Sequence, residues 1–105
     1  MRVTIQYFEG CPNWRDTLAR VESVLTELSL PISVLVLECI DSQEAAERAG
    51  FRGSPTVLID GRDPFEDPGA PVGLACRLYV TPAGPAGSPD RTSLLRALRA
   101  GASQG

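Results

Sequence analysis

The chain of 105 residues contains no histidine and no lysine, so all ten of its basic residues are arginine. Histidine is the usual general base near neutral pH and a common zinc ligand, and its absence excludes both of these roles. Cysteine is also scarce, since three residues are too few, and odd in number, for a disulfide scaffold. Any thiol chemistry must therefore proceed without an imidazole partner.

Other absences limit the partners and the location. The net charge of −3 argues against a nucleic-acid partner. No apolar run approaches about 18 residues, so we expect no membrane span. A strand that begins at residue 3 leaves no room for a signal peptide, and we therefore expect a cytoplasmic protein with reduced thiols. The length suits a single domain over residues 1–105.

Hydrophobic periodicity predicts an α/β order of elements. Strands are predicted over 3–8, 33–40, 57–60 and 75–80, and helices over 13–29, 43–49 and 91–100. The near-continuous apolar run in 33–40 is typical of a strand that is buried on both faces. Asp41-Ser42 and Asp90 are predicted to cap helices, and Gly50 to end one. Residues 61–73 and 81–89 are rich in Gly and Pro and are predicted to be loops.

Cys11 joins the first predicted strand to the first predicted helix, and Pro12 follows it. A sulfur at this position lies near unpaired backbone N–H groups and near the positive end of the helix dipole, both of which favour an anion. The position therefore favours the thiolate form of Cys11 at a partly exposed helix start. The alternative is an inert, half-buried thiol.

Further along the chain, Gly53-Ser54-Pro55-Thr56 opens an apolar strand. Cys-Pro after a strand, followed at this distance by Gly-Ser-Pro-Thr, resembles the thioredoxin-like superfamily over residues 3–61 and less closely up to residue 101. The resemblance implies a four-stranded mixed sheet in the order βαβαββα with helices on both faces. It also implies a cis Pro55, with the backbone before it pairing with an extended client or glutathione-like backbone. A trans Pro55 in an ordinary turn is the alternative.

The chain departs from the dithiol members of this superfamily at three positions. Trp14 stands where they carry the second cysteine of Cys-x-x-Cys, which resolves the mixed disulfide formed by the first. Ile5 and Leu37 stand where they carry a buried acid and its lysine partner. The resemblance therefore implies that the protein is not a standard dithiol thioredoxin.

Several residues are predicted to surround the sulfur of Cys11. Arg52 is expected to favour its thiolate, whereas Glu9 opposes it as a like charge. The resemblance also places Ser88-Pro89-Asp90, at the head of the last helix, where glutaredoxins hold part of glutathione. Trp14 is either a core anchor or a substrate platform, and the former is commoner. The predicted substrate-binding set is Pro12, Trp14, Arg52, Ser54 and Pro55.

Cys39 and Cys76 are candidate second thiols. Cys39 lies in a predicted core strand, where a cysteine usually behaves as a small hydrophobe, and its alternative role is a resolving thiol. Cys76 begins the predicted fourth strand and is expected far from Cys11, unless the long loop before it folds back. For both residues the structural role is the leading interpretation.

The leading hypothesis is a thiol-dependent redox protein that acts through Cys11 alone, without a cofactor or a metal. It would form mixed disulfides with a low-molecular-weight thiol or a client protein thiol, and as an enzyme it would be a single-thiol oxidoreductase. One alternative is a non-catalytic binding module that uses the surface around Pro55. Another is capture of a soft ion, copper(I) or mercury(II), by Cys11 with Cys39 or Cys76.

Overall fold

The computed structural model describes residues 1–104 and confirms an α/β architecture with a mixed sheet and three α-helices. The strands are β1 (Val3–Tyr7), β2 (Leu35–Cys39), β3 (Thr56–Ile59), β4 (Tyr79–Thr81) and β5 (Gly84–Ala86). The helices are α1 (Trp14–Glu27), α2 (Gln43–Ala49) and α3 (Arg91–Gln104), and a short 3₁₀ turn, Ile32–Val34, precedes β2. No helix in the described range is long and apolar enough to cross a bilayer.

The main sheet has three strands in the order β2-β1-β3. β2 runs parallel to β1, with Tyr7 opposite Cys39, and β3 runs antiparallel to β1, with Ile5 opposite Val57. This register puts alternate apolar side chains of β1 and β3 on one face, where α1 and α3 cover them. The core cluster on that face consists of Val3, Ile5, Val21, Val24, Leu25, Val57, Ile59, Leu94 and Leu98. Burial of each such side chain stabilises the fold by about 1.5–3 kcal/mol before entropic costs.

The predicted fourth strand over 75–80 is wrong. Only its end forms a strand, β4, which pairs with β5 in a separate two-stranded sheet and not with the main sheet. A tight turn between Thr81 and Gly84 explains this local pairing, because the Thr81 hydroxyl donates to the Gly84 carbonyl at 2.6 Å and Gly84 adopts a φ of 108°. Residue 76 makes only an isolated parallel bridge with Ser54.

The prediction that the second strand is buried on both faces is also wrong. β2 is an edge strand, and its Val36 and Leu37 side chains are 41% and 44% exposed. The reason is that α2 is short and does not cover β2. Instead, Ala46 of α2 packs in a small second cluster with Ile40 and Phe51. Gln6 and the end of α2 line one cavity. Because successive side chains of a strand point to opposite faces, Gln6 lies on the sheet face opposite Ile5, and α2 is therefore on the face opposite α1 and α3.

The predicted caps of α2 and α3 and the predicted end of α2 are confirmed, whereas α1 spans Trp14–Glu27 instead of 13–29 and α3 continues to Gln104 instead of ending at residue 100. The Ser42 hydroxyl accepts a hydrogen bond from the Ala45 N–H at 3.0 Å at the start of α2, and Gly50 ends this helix with a left-handed φ of 64°. At the start of α3, the Asp90 carboxylate accepts a hydrogen bond from the Ser93 N–H at 3.1 Å. These bonds satisfy N–H groups that the helices themselves leave unpaired.

Candidate functional site

Cys11 lies in the turn between β1 and α1, three residues before the helix begins at Trp14. Its N–H donates to the Phe8 carbonyl at 3.0 Å, and its thiol donates to the Ser54 carbonyl at 3.5 Å. The residue is 1% exposed, so the predicted partly exposed thiol is wrong. The segment Ala75–Arg77, which was expected elsewhere, lies along the backbone of Ser54, the residue whose carbonyl accepts this thiol.

The Ser54–Pro55 peptide bond is cis, as predicted. Ser54 is fully buried, and both of its backbone polar groups are paired within the chain. Its N–H donates to the Ala75 carbonyl at 2.8 Å, and its carbonyl accepts from the Arg77 N–H at 2.9 Å. The groups that the family resemblance assigns to a client backbone are therefore occupied by a segment of the protein itself.

Cys76 lies next to Cys11, which overturns the expectation that it is remote. It stands opposite Ser54 in a parallel bridge, and residues paired in this way project their side chains to the same face. The Ser54 hydroxyl accepts from the Phe8 N–H at 3.4 Å, so that face looks towards the turn that carries Cys11. Partial burial raises the pKa of Cys76, and a charge on Cys11 and a hydrogen bond between the two thiols raise it further.

Arg77 anchors the segment that carries Cys76, and sequence reasoning missed this role. The residue is 6% exposed, and its guanidinium forms a 2.6 Å ion pair with Asp63 and donates to the Phe65 carbonyl. It also lies over the ring of Tyr79, 4.6 Å from the centroid. The signal in the sequence is a charged residue within an otherwise apolar run, downstream of an acidic loop.

Tyr79 ties the same segment to the cis-proline turn. Its hydroxyl donates to the carbonyl of Pro55, and the residue is buried. Burial raises the pKa of the Tyr79 phenol well above its usual range, so it remains a neutral donor. The segment is thus held on both sides of Cys76, by backbone bonds to Ser54 and by these two side chains.

Arg52 is not brought to Cys11. Its guanidinium donates to the carbonyl of Pro68 at 3.2 Å and to the carbonyl of Ala70. It lines a cavity of about 590 Å³ together with Gln6 and the end of α2, on the sheet face away from the main core. The hydrogen bonds of this guanidinium are to the loop carbonyls and not to Cys11, so they give no support to the predicted stabilisation of a Cys11 thiolate.

Trp14 and Pro12 have different surroundings. Trp14 is buried and stacks on Tyr7 with 4.1 Å between ring centroids, which is the core-anchor role rather than a substrate platform. Its indole N–H has no hydrogen-bond partner among the described residues. Pro12 is exposed beside Cys11. Of the predicted substrate-binding set, Pro12, Ser54 and Pro55 are therefore the members that stay near the sulfur.

Cys39 is exposed at the end of the edge strand β2, so its predicted burial is wrong. Its neighbour is Tyr7, whose pKa is raised first by burial and then by the charge of Cys39 and a hydrogen bond with it. The structure thus places Cys39 with the phenol of Tyr7, whereas Cys76 is placed with Cys11.

Ser88 is not open to a ligand such as glutathione. Its hydroxyl lies 2.6 Å from that of Thr17 in α1, and both residues are buried. The guanidinium of Arg20 donates to the Pro89 carbonyl at 3.0 Å. These bonds fasten the head of α3 to α1.

Neither a cluster of metal ligands within the described part of the chain nor a known relative points to another site. Residues 1–104 contain no group of three or more His, Cys, Asp or Glu side chains that could hold a metal ion. Comparison of the chain with protein-family models, curated proteins and solved structures finds no match. The candidate site is the pair of neighbouring thiols, Cys11 and Cys76, beside Ser54.

Proposed function

We propose that this protein is a thiol-dependent redox protein of thioredoxin-like type. Its Cys11 site would exchange disulfides with a low-molecular-weight thiol or with a client protein. The observation that carries the proposal is the proximity of the Cys11 and Cys76 thiols beside Ser54. Two adjacent thiols form a two-electron couple with their disulfide, and no further group is required for the exchange.

The protonation of Cys76 depends on its neighbour Cys11. Because the pKa of Cys76 is raised in part by the charge and hydrogen bond of Cys11, Cys76 retains its proton to higher pH than a free thiol. A thiolate is the nucleophile in disulfide exchange. Exchange through Cys76 therefore requires that its thiol first lose this proton.

All three cysteines are free thiols, and we place the protein in the cytoplasm, where thiols are kept reduced. The exchange does not use strand addition at Ser54 while Ala75 and Arg77 hold its backbone groups. A partner then contacts the outer side of the segment Ala75–Arg77.

The test is disulfide mapping after incubation with oxidised glutathione. We expect mass spectrometry to find Cys11 within a disulfide, and dithiothreitol to release it. A non-catalytic binding module would leave Cys11 as a free thiol under the same conditions, and that result would contradict the proposal. Urea melts of the reduced and oxidised samples would establish that the protein stays folded throughout.

A second candidate function is capture of a soft metal ion, and the same two neighbouring sulfurs favour it. Thiolates select copper(I), and two of them suffice for a two-coordinate site. Competition with a chromophoric copper(I) chelator would detect one ion per chain that is lost in both Cys11→Ser and Cys76→Ser. Cys39→Ser is the matched control, since Cys39 lies beside Tyr7.

A further inference from the structure

We propose that Cys76 is the sulfur that exchanges with the partner's disulfide, and that the buried Cys11 is the thiol that resolves the resulting mixed disulfide. This assignment rests on the redox function proposed above and reverses the roles expected from the sequence. It makes the protein a two-thiol protein whose cysteines are separated widely in sequence instead of forming a Cys-x-x-Cys motif.

Access to solvent assigns the exchanging role. In disulfide exchange the attacking thiolate must reach one sulfur of an intact disulfide, and access limits the rate. Cys76 is exposed, whereas Cys11 is 1% exposed. An incoming disulfide therefore reaches Cys76 directly, while the buried Cys11 is shielded from it.

The backbone holds Cys76 in the position that resolution requires. The bonds from Ser54 to Ala75 and Arg77 fix residue 76 opposite Ser54, whose carbonyl accepts the Cys11 thiol. Gly53 permits this close approach, since a Cβ there would lie 3.0 Å from the Arg77 Cβ and 3.2 Å from the Ala75 carbonyl oxygen. Because Arg77 is buried and paired with Asp63, the segment is fixed by its side chains as well.

The reaction consists of two successive thiol–disulfide exchanges. Cys76 first releases its proton to solvent, and its thiolate attacks a disulfide R–S–S–R′, forms Cys76–S–S–R and expels R′–S⁻, which takes up a proton from solvent. Cys11 then loses its proton and attacks the sulfur of Cys76, which forms the Cys11–Cys76 disulfide and expels R–S⁻, again protonated by solvent. The protein loses two electrons, and the partner disulfide is reduced to two thiols. An external thiol reverses the sequence.

The test is to trap the mixed disulfide in a Cys39→Ser background, which removes the other exposed thiol. Oxidised glutathione and insulin are used in separate arms, so that a small disulfide and a protein disulfide are distinguished as partners. The parent should acquire a Cys11–Cys76 disulfide. Addition of Cys11→Ser, or of Cys11→Ala as a second variant, should trap an adduct at Cys76. Addition of Cys76→Ser should leave Cys11 unmodified.

The outcomes separate this assignment from the function on which it rests. An adduct on Cys11 in the Cys76→Ser variant would overturn the order of the two sulfurs while the redox function stands. An adduct at Cys76 without any Cys11–Cys76 disulfide in the parent would overturn the resolving role of Cys11. The absence of any disulfide in every folded variant, in both arms, would refute the redox function itself.

Discussion

Replacement of Arg77 by Met should destabilise the protein and loosen the segment that carries Cys76. The guanidinium pairs with Asp63 at 2.6 Å, and the two side chains are 5% and 19% exposed. The substitution keeps an unbranched side chain of similar length but leaves Asp63 without its cation and the Phe65 carbonyl without its donor. Loss of one partner of a buried ion pair typically costs about 3–5 kcal/mol.

The expected magnitude lies at the lower end of that range. Asp63 retains some contact with water, which reduces the penalty of leaving its charge unpaired. The partly buried Phe65 carbonyl, left without its donor, adds a fraction of the roughly 1–3 kcal/mol that an unsatisfied buried group costs. We therefore expect a loss of about 3 kcal/mol in the free energy of unfolding. That is a large share of the roughly 5–15 kcal/mol of a typical domain.

Urea denaturation followed by circular dichroism measures this loss, and Arg91→Met is the matched control. Arg91 pairs with Glu27 at 2.8 Å, but the two side chains are 43% and 44% exposed, so the pair should contribute about 0–1 kcal/mol. Arg77→Met should also slow formation of the Cys11–Cys76 disulfide. Equal effects of the two arginine substitutions on stability would refute the anchoring role of Arg77.

Three further predictions test the packing of the site and the helix cap. Tyr79→Phe should cost about 1–3 kcal/mol, because it leaves the carbonyl of Pro55 without its donor; a neutral effect in urea melts would contradict that bond. Cys11→Ser should cost about 1–3 kcal/mol, because it places a hydroxyl in a buried position. Cys39→Ser should change the stability by no more than about 0.5 kcal/mol, because Cys39 is exposed. A larger loss for Cys39→Ser than for Cys11→Ser would contradict the observed burial. Asp90→Ala should cost about 1 kcal/mol near neutral pH. Hydrogen bonds from Ser93 lower the pKa of Asp90 in the folded protein. The stabilisation by the cap should therefore be complete above about pH 4, where Asp90 is ionised in both states, and should disappear as the pH falls through the lowered pKa of the folded protein. Urea melts across that range measure it, and a cost independent of pH would contradict the cap.

The parts of the fold that the sequence predicts well are those set by local signals. α2 begins after Ser42 and ends at Gly50 as predicted, since a capping hydroxyl and a left-handed glycine act within a few residues. The cis geometry at Pro55 and the strands β1 and β3 likewise follow from short motifs.

The errors arise where distant segments decide the structure. An apolar run such as 33–40 predicts a strand but does not reveal whether a helix covers it. In the structure β2 is an edge strand without such a helix, and Leu37 and Cys39 are therefore exposed. Cys76 reaches the site because Arg77 turns inward to Asp63, fourteen residues earlier in the chain. The short apolar run over 75–80 indicates a strand and carries no information about that ion pair.

The central claim is that Cys11 belongs to a reversible thiol–disulfide couple, and a redox titration tests it most directly. The protein in the Cys39→Ser background would be equilibrated in glutathione buffers of graded ratio, quenched in acid, and the redox state of Cys11 read by differential alkylation and mass spectrometry. We predict one reversible transition in which Cys11 and Cys76 are oxidised together, identical when it is approached from the oxidised or the reduced side. A Cys11 that remains a free thiol in the most oxidising buffer, in protein that is still folded, would contradict the claim.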